Sequence, residues 1–244
     1  MIRSAPQVEL GKLDLNEKAI AMSTESDQES SRRPSVLLVT SHPDRKSLTW
    51  QITREIAKGV ESDGAANVRV LDLTGEGFSP TFSESDLASY RGADSTPEIL
   101  RYREMVDAAD VTVAVFPVYW WSMPALLKGW VDRVFGGKWA YDFDEEFNLQ
   151  GLLGERGLGL QFLAIAANDE ESYERHGYMA AIRATIDHGI VQYCGVSPAV
   201  THVYHNSEDA SGDAQREMLV NALQLGKDVA ADAGERHAKR LVSS

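Results

Sequence analysis

The chain alternates short apolar segments with helix-like segments, and this alternation constrains its fold more than any other feature of the sequence. Strands that alternate with helices form a parallel sheet with helices on both faces, because each connection must cross over the sheet. We therefore predict a doubly wound α/β fold with five parallel strands in the order 2-1-3-4-5. The predicted strands are Ser35–Thr40, Asn67–Leu73, Val111–Phe116, Leu158–Ala167 and Ala199–Tyr204. The main predicted helices cover residues 48–62, 97–108, 124–135, 180–193 and 212–239, and a long loop covers residues 136–157.

The first residues of the chain differ from the rest. Their polar run, Ser23 to Arg33, has no apolar periodicity and cannot bury enough surface to order itself. We expect a disordered N-terminal tail over residues 1–33, with Met22 as a second candidate for the natural start. The remaining residues, 34–240, are enough for a single α/β domain with a full core.

Charge and cysteine content bear on partners and compartment. The formal net charge of −13 disfavours non-specific binding to nucleic acid or to anionic membranes, which are polyanions. No apolar run approaches the ~20 residues that span a bilayer, and the N-terminus lacks the apolar core of a signal peptide. Cys194 is the one cysteine, so no intrachain disulfide can form, and its apolar neighbours predict a buried, inert thiol. We expect a cytoplasmic protein with no nucleic-acid partner and no membrane insertion, and we assign no metal ligands.

A loop with phosphate-binding character follows the first strand. Residues 41–49 lead into a helix, whose first turn presents free N–H groups and the positive end of the helix dipole. The side chains that could add hydroxyls or charge are His42, Arg45, Lys46, Ser47 and Thr49. A plain helix cap at Ser47 remains an alternative, because such a cap needs no ligand. The sequence has no G-x-G-x-x-G after this strand and no G-x-x-x-x-G-K-[ST], which argues against a standard Rossmann or P-loop site.

A cluster of aromatic residues follows the third strand. Tyr119, Trp120 and Trp121 lie between Pro117 and Pro124, and Pro124 opens the next helix. In the predicted strand order the topological switch point lies between strands 1 and 3, where open α/β sheets bind ligands. Adjacent residues of an irregular loop point in different directions, so the two tryptophans can hardly share one core. The aromatic loop and the 41–49 loop therefore face one crevice, and the rings favour a flat ligand.

The same segment resembles a known family. Pro117–Tyr141, PVYWWSMPALLKGWVDRVFGGKWAY, closely resembles the central motif of the flavodoxin-like NAD(P)H:quinone oxidoreductases. That family includes mammalian quinone reductase, the bacterial modulators of drug activity and the flavoprotein ancillary subunits of potassium-efflux systems. The loop from His42 to Thr49 is similar to the family's H-[PS]-x-x-x-S-x-[NT] loop, and the match covers about residues 35–205. The resemblance implies a flavodoxin-like fold, a bound flavin (FAD, or alternatively FMN) and NAD(P)H as co-substrate.

The resemblance also implies roles for individual residues. Those expected to hold the phosphate part of the cofactor are His42, Ser47, Leu48 and Thr49. Those expected to flank the ring edge, largely through backbone groups, are Pro117, Val118, Tyr119, Trp120 and Trp121. After the fourth strand the family carries T-T-G-G, and the matching ring-contact positions here are Ala166, Ala167, Asn168 and Asp169. The departure removes two hydroxyls and two glycines, and it places a carboxylate where a reduced, anionic flavin would be disfavoured.

Further roles concern catalysis and assembly. In the family a tyrosine and a histidine lie near the flavin, and Tyr173 and His176 are the candidates for stabilising negative charge during hydride transfer. The family forms homodimers, and the residues expected to cover the partner's substrate pocket are Trp139, Tyr141 and Phe143. For the helix that follows the aromatic loop, the spacing of Lys128 and Asp132 predicts an ordinary ion pair.

The resulting functional prediction is a flavin-dependent NAD(P)H dehydrogenase that reduces quinones or similar acceptors by two-electron hydride transfer. The alternative is a flavin-binding regulatory subunit of a potassium-efflux transporter, which would make that transporter a peripheral partner. A one-electron flavodoxin carrier is disfavoured, because the 41–49 loop lacks the Thr/Ser-Gly-Thr-rich phosphate pattern of that class.

Overall fold

The computed structural model describes residues 32–209 and 211–243 of the chain. The strands are β1 (Ser35–Thr40), β2 (Asn67–Asp72), β3 (Val111–Pro117), β4 (Asp142–Phe143), β5 (Leu149–Gln150), β6 (Gly159–Ile165) and β7 (Thr201–Tyr204). The α-helices are α1 (Leu48–Glu61), α2 (Glu84–Tyr90), α3 (Pro97–Asp107), α4 (Ala125–Val134), α5 (Leu152–Glu155), α6 (Glu170–Arg175), α7 (Tyr178–Ile182) and α8 (Asp213–Ser243). A 3-10 turn covers Ser62–Gly64, and a π-helical segment covers Arg183–Gln192.

The central sheet has five strands in the order β2-β1-β3-β6-β7, and every pairing within it is parallel. The predicted order 2-1-3-4-5 is confirmed, since β6 and β7 are the fourth and fifth strands of the sequence prediction. The switch point lies between β1 and β3, so the loops that leave these two strands open at the same edge of the sheet.

Two apolar cores cover the two faces of this sheet. Along β1 the side chains alternate between them: Leu37 and Val39 join one core, and Val36 and Leu38 join the other. This is the period of two that an extended strand imposes. The first core also contains buried residues of α3, α4 and the π-helical segment, and the second contains those of α1 and α8. Helices therefore pack on both faces, as the alternation predicts.

Three regions differ in detail from the sequence prediction. Residues 136–157, predicted as a loop, contain the antiparallel hairpin β4–β5 and the short helix α5. Residues 180–193, predicted as one helix, form most of α7 and then the π-helical segment. Thr185, Ile186, Gly189, Ile190 and Val191 lie in that segment, and β-branched residues and glycine are weak α-helix formers. The sequence did not predict helix α6, because its six residues are too few to show a helical period.

The N-terminal tail predicted over residues 1–33, with Met22, lies outside the described residues except for Arg32 and Arg33. Arg32 is held at the start of the domain: its guanidinium donates to Asp110 Oδ1 (3.1 Å) and to Ser35 Oγ (2.7 Å). The extent of the tail therefore stays a prediction. Among the residues that the structure describes, no helix combines the length and the apolar character needed to cross a membrane.

Candidate functional site

A cleft of about 310 Å³ opens at the switch point, between the loops that leave β1 and β3. We call it the helix-start cleft, because the beginning of α1 forms one of its walls. Its lining residues are His42, Ser47, Leu48, Thr49, Pro117, Val118, Tyr119, Ile165, Ala167, Ser207 and Glu208. The structure thus brings together all four predicted phosphate ligands and three of the predicted ring-edge residues.

Local hydrogen bonds shape the loop that enters α1. Ser47 is the N-cap, and its hydroxyl accepts from the Trp50 amide (3.4 Å). The Trp50 indole donates to the His42 carbonyl (3.1 Å), which fixes the loop against the helix. His42 Nδ1 lies 3.1 Å from the Asp44 amide nitrogen and 3.2 Å from the Asp44 carbonyl oxygen, so the imidazole is held against its own loop. Ser47 therefore caps the helix, as the alternative interpretation of this loop predicts. The amides of Leu48 and Thr49 lie in the first helical turn, where an α-helix offers no backbone acceptors for them.

Two buried hydroxyls next to this loop support an anionic ligand. Thr40 and Ser41 are 0% and 4% exposed, and within the described residues their hydroxyl oxygens have no hydrogen-bond partner. A buried hydroxyl without a hydrogen-bond partner lowers the stability of the fold. Such hydroxyls therefore favour a site where a bound ligand supplies the missing hydrogen bonds. Arg45, a candidate source of positive charge, instead forms an ion pair with Asp72 and does not line the cleft. Hydroxyl and amide donors therefore dominate this end of the site.

The aromatic loop is a tight turn with unusual backbone geometry. Tyr119 and Ser122 exchange two backbone hydrogen bonds (3.0 and 3.1 Å), and Trp120 and Trp121 are the central residues between them. Both tryptophans have positive φ, +49° and +57°, as a type I′ turn requires. Bulky residues rarely adopt this conformation, which costs about 1–2 kcal/mol per residue. Strain of this kind clusters at ligand sites, where the surrounding structure holds it in place.

A second cleft, of about 130 Å³, lies beside this turn. We call it the tryptophan cleft, and its lining residues are Val118, Trp120, Trp121, Ala167, Asn168 and Tyr173. It shares Val118 and Ala167 with the helix-start cleft. The donors at the start of α1 and the aromatic walls are therefore two ends of one continuous site. This arrangement fits a molecule that has a phosphate at one end and a flat ring at the other.

The segment after β6 is held by the turn that follows β7. The Ala166 amide donates to the Tyr204 carbonyl (2.7 Å), and the Ala166 carbonyl accepts from Ser207 (2.9 Å). The Asn168 carbonyl accepts from the Asn206 amide (3.2 Å). These backbone bonds fix residues 166–168 without the hydroxyls of the family's T-T-G-G stretch.

Asp169 does not point its charge at the ring end of the site. It is the N-cap of α6, and its carboxylate accepts from the Ser172 amide (2.6 Å). That hydrogen bond, with a second from the Ser172 side chain, lowers the pKa of Asp169. Asp169 lines neither cleft, and neither does the fully buried Ala166, whereas Ala167 and Asn168 do. The carboxylate that the sequence places near the ring thus caps the start of α6 instead.

The histidine that contacts Tyr173 is not the one that the sequence predicted. Tyr173 is 1% exposed, and burial, followed by the nearby Tyr178, raises the pKa of its phenol. The ring that packs edge-on against Tyr173 belongs to His205, with centroids 4.8 Å apart. His176 is exposed at the end of α6, and its ring lies against Tyr178 (5.6 Å). His205 leaves β7, far away in sequence, so spacing near Tyr173 gave no signal for it.

The three aromatic residues predicted to cover a partner's pocket lie in different environments. The Trp139 indole donates to Asp107 Oδ2 (2.9 Å), and its ring lies beneath the guanidinium groups of Arg103 (5.2 Å) and Arg156 (5.5 Å). These contacts hold Trp139 against α3 and the end of α5, and it lines neither the helix-start cleft nor the tryptophan cleft. Tyr141 lines a third cavity, described below, and Phe143 packs edge-on against Tyr141 (6.0 Å) while 48% exposed.

The third cavity, of about 380 Å³, lies between α4 and the π-helical segment. We call it the tyrosine cavity, because Tyr90, Tyr141 and Tyr193 are among its lining residues. Cys194 also lines it and is 2% exposed, and burial raises the pKa of its thiol to about 12. The prediction of a buried, unreactive cysteine is confirmed. Lys128 and Asp132 line the same cavity and form the ion pair that their spacing predicts.

Comparison with known proteins finds a matching family model and curated relatives. The family model described as the flavodoxin-like fold matches residues 34–225. A curated relative, ribosyldihydronicotinamide dehydrogenase (quinone) from Rattus norvegicus, is 27% identical over 217 residues, which cover 80% of this chain and 91% of the relative.

Two solved structures share the fold. The NAD(P)H:quinone oxidoreductase from Methanothermobacter marburgensis matches with a TM-score of 0.69 at 22% identity, over 81% of this chain and 99% of that one. The FMN-dependent NADH-azoreductase from Bacillus anthracis, solved in complex with FMN, matches with a TM-score of 0.55 at 15% identity, over 81% of this chain and 98% of that one. At these identities the two structures support the fold alone.

Proposed function

Because the chain belongs to the flavodoxin-like NAD(P)H:quinone oxidoreductase family, we propose that it is a flavin-dependent NAD(P)H dehydrogenase that reduces quinones or similar acceptors by two-electron hydride transfer. One observation carries the proposal: the helix-start cleft, rich in hydroxyl and amide donors, joins the aromatic tryptophan cleft through Val118 and Ala167. The rat relative, which is 27% identical, is named as a quinone dehydrogenase, and this supports a quinone-type acceptor.

A bound flavin supplies the two-electron chemistry, and the protein binds, orients and excludes water. In this proposal Ser47, Thr49 and the first amides of α1 hold the phosphate, where the helix dipole favours negative charge. The His42 imidazole, which lines the same cleft, is a further polar group for the phosphate end of the cofactor. Among the described residues no arginine or lysine lines this cleft, so hydrogen bonds and the helix dipole would hold the phosphate.

At the ring end, the strained turn at Trp120 and Trp121 provides one wall, and backbone groups of residues 117–119 meet the ring edge. Tyr173 keeps its proton at neutral pH, because burial raises the pKa of its phenol. Its hydroxyl can therefore donate a hydrogen bond to a ring or acceptor oxygen that gains negative charge. His205 packs against Tyr173 and lies 3.3 Å (Nδ1) from the Asn168 carbonyl, so we assign it a positioning role.

We propose FAD rather than FMN as the resident flavin. The helix-start cleft continues past α1 to Ser207 and Glu208. A carboxylate repels a terminal phosphate but accepts hydrogen bonds from ribose hydroxyls. FAD carries a second ribose beyond its phosphates, and FMN ends at its phosphate, so Glu208 favours the larger cofactor.

We also propose a homodimer. Four aromatic residues line the tyrosine cavity, and the β4–β5 hairpin next to it exposes 48% of Phe143 and 86% of Phe147. Exposed aromatic surface of this kind is characteristic of interfaces. Sedimentation of the holoprotein as an active monomer at micromolar concentration would contradict this assembly. Cytoplasmic residence stays a proposal that the single reduced cysteine supports.

The first experiment identifies the cofactor and the activity together. The purified full-length protein is heated, and the released flavin is identified by chromatography and absorbance. The holoprotein is then assayed for NADH and NADPH oxidation with menadione. We expect bound FAD and acceptor-dependent oxidation. A colourless protein that gains no activity when FAD or FMN is supplied would exclude the proposed enzyme.

A matched pair of variants tests the phosphate assignment. Thr49→Val removes a hydroxyl that lines the helix-start cleft, and flavin affinity should fall about tenfold, the loss of one hydrogen bond to a charged group. Thr53→Val removes the hydroxyl one turn later, which donates to the Thr49 carbonyl (2.8 Å) inside the helix. Flavin affinity should be unchanged in this control. Equal affinities in both variants would place the phosphate elsewhere.

No contact among the described residues favours the alternative, a regulatory subunit of a potassium-efflux transporter. That role predicts turnover with menadione too slow for an enzyme, together with a membrane transporter that co-purifies with the protein. The same assay therefore discriminates the two roles.

A further inference from the structure

Tyr178 occupies the face of a tryptophan that an incoming planar molecule would use. Its ring is stacked on Trp121, with centroids 4.7 Å apart and planes inclined by 23°. The edge of the same ring meets Tyr173, at 5.6 Å and 74°. Trp121 and Tyr173 both line the tryptophan cleft, so Tyr178 joins two of its walls.

The tryptophan cleft is too small for the reaction that we assign to it. Its volume is about 130 Å³, whereas pockets that bind small molecules usually enclose about 300–1,000 Å³. A cofactor ring and an acceptor stacked beside it need more space than this end of the site offers. Tyr178 is the side chain whose departure would open a stacking surface, because it already lies flat on Trp121.

The backbone next to Tyr178 permits such a movement. Gly177 connects α6 to α7 with φ +75°, and a Cβ placed on it would meet no atom within 4 Å. The space beside Gly177 is therefore open, and the two helices that it joins have only six and five residues. Moving Tyr178 away breaks its stack on Trp121 and its edge contact with Tyr173, and the binding of another ring on Trp121 would replace the first of these contacts.

Negative charge near this turn limits which acceptors can approach Tyr178. Between Glu170 and Arg175 the chain carries three carboxylates, at 170, 171 and 174, against one arginine, which pairs with Glu171. These residues are exposed, so the short helix that precedes Tyr178 carries a net negative charge. An acceptor that bears a sulfonate or carboxylate would be repelled, and a neutral ring system would not.

We propose that Tyr178 is a specificity-determining gate: it swings off Trp121 about Gly177, and a neutral, planar aromatic acceptor takes its place on the indole. The identity of the acceptor rests on the proposed function. The movement of Tyr178 is tested by ligand binding alone and does not depend on turnover. Tyr178 contributes no proton or electron to the reaction.

The test compares Tyr178→Ala, which removes the competing ring, with Tyr178→Phe, which keeps it. Binding of menadione, of phenanthrenequinone and of a naphthoquinone sulfonate is measured by tryptophan quenching in the holoprotein without NAD(P)H. Tyr178→Ala should bind the two neutral quinones about two- to tenfold more tightly than the natural chain, because the quinone no longer has to displace the stacked tyrosine ring. Tyr178→Phe should match the natural chain, and the sulfonate should bind most weakly throughout.

Steady-state kinetics with the same quinones provide the second readout. The gate predicts that Tyr178→Ala lowers KM for phenanthrenequinone more than it changes kcat, with Tyr178→Leu as a second variant should Tyr178→Ala fold poorly. Unchanged quinone affinity in both Tyr178→Ala and Tyr178→Leu would overturn the gate, and so would a fall in kcat at constant KM. A chain that binds quinones in the predicted order without oxidising NAD(P)H would keep the gate and refute the proposed function.

Discussion

At the scale of single residues, burial decides the chemistry of Cys194. The thiol is 2% exposed among apolar neighbours, and its pKa is raised from 9.0 to about 12 because the thiolate cannot be solvated there. The folded protein therefore holds this proton more tightly than the unfolded chain does. The stability that the thiol provides is complete below pH 9 and is lost as the pH rises towards 12.

This difference predicts a pH-dependent stability that a single substitution removes. Between pH 8 and pH 10, titration of the unfolded thiol should cost the natural chain about 1.4 kcal/mol of unfolding free energy. Cys194→Ala should be spared this loss, while the tyrosines of both chains titrate alike. Urea unfolding of the two proteins at both pH values measures the difference, and parallel losses would show that the thiol is solvated.

The backbone conformation of the aromatic turn is a second feature that depends on single residues. The sequence predicts a stiff aromatic loop at a ligand edge from two prolines and adjacent rings. It does not predict positive φ at Trp120 and Trp121, because isolated tryptophans avoid that conformation. Tertiary contacts hold the turn, including the stack of Trp121 on Tyr178. A local rule therefore fails at the place where the site is built.

At the scale of elements, α1 and α8 cross unusually closely. A Cβ on Gly59 would lie 2.2 Å from the Leu223 carbonyl oxygen, and one on Gly226 would lie 2.2 Å from the Ile56 carbonyl oxygen. Both contacts are with backbone, which cannot move aside. The two glycines thus let the helices pack face to face on the sheet, and they position the start of α1 at the edge where the site lies.

A methyl group at this crossing should separate the helices. Gly59→Ala is expected to lower the free energy of unfolding by about 2–3 kcal/mol, the cost of overpacking a core. Gly234→Ala is the control within α8, since a Cβ there meets no atom within 4 Å and alanine favours the helix by about 0.5–1 kcal/mol. Thermal unfolding of both variants tests the crossing. A Gly59→Ala variant as stable as the natural chain would contradict it.

At the scale of the whole molecule, one buried carboxylate joins distant parts of the chain. Asp110 is 0% exposed and lies 3.0–3.4 Å from Arg32, His237 and Arg240, and it accepts from the Ser35 amide (2.8 Å). It thereby links Arg32, the start of β1 and the C-terminal part of α8 to the residue that precedes β3. A buried charge of this kind is stable only while its partners surround it.

Removing that charge should be costly. Asp110→Asn leaves the surrounding cations without their carboxylate, so the free energy of unfolding should fall by about 3 kcal/mol. Glu171→Gln is the matched control, because the Glu171–Arg175 pair (3.0 Å) is on the surface, with the Glu171 side chain 84% exposed, and should contribute less than about 1 kcal/mol. Denaturant unfolding compares the two. Equal effects would mean that the Asp110 cluster does not hold the fold together.

The sequence by itself determined the strand order, the switch point between β1 and β3, and the two loops that meet there. These follow from apolar periodicity and from the handedness of crossovers, which are local or universal rules. The tertiary structure alone decided which side chains meet. It placed His205 rather than His176 against Tyr173, and it held Trp139 between two arginines within its own subunit. It also stacked Tyr178 on Trp121. Such contacts join residues that are far apart in sequence or that leave a turn in a direction no local pattern specifies, so only packing could select them.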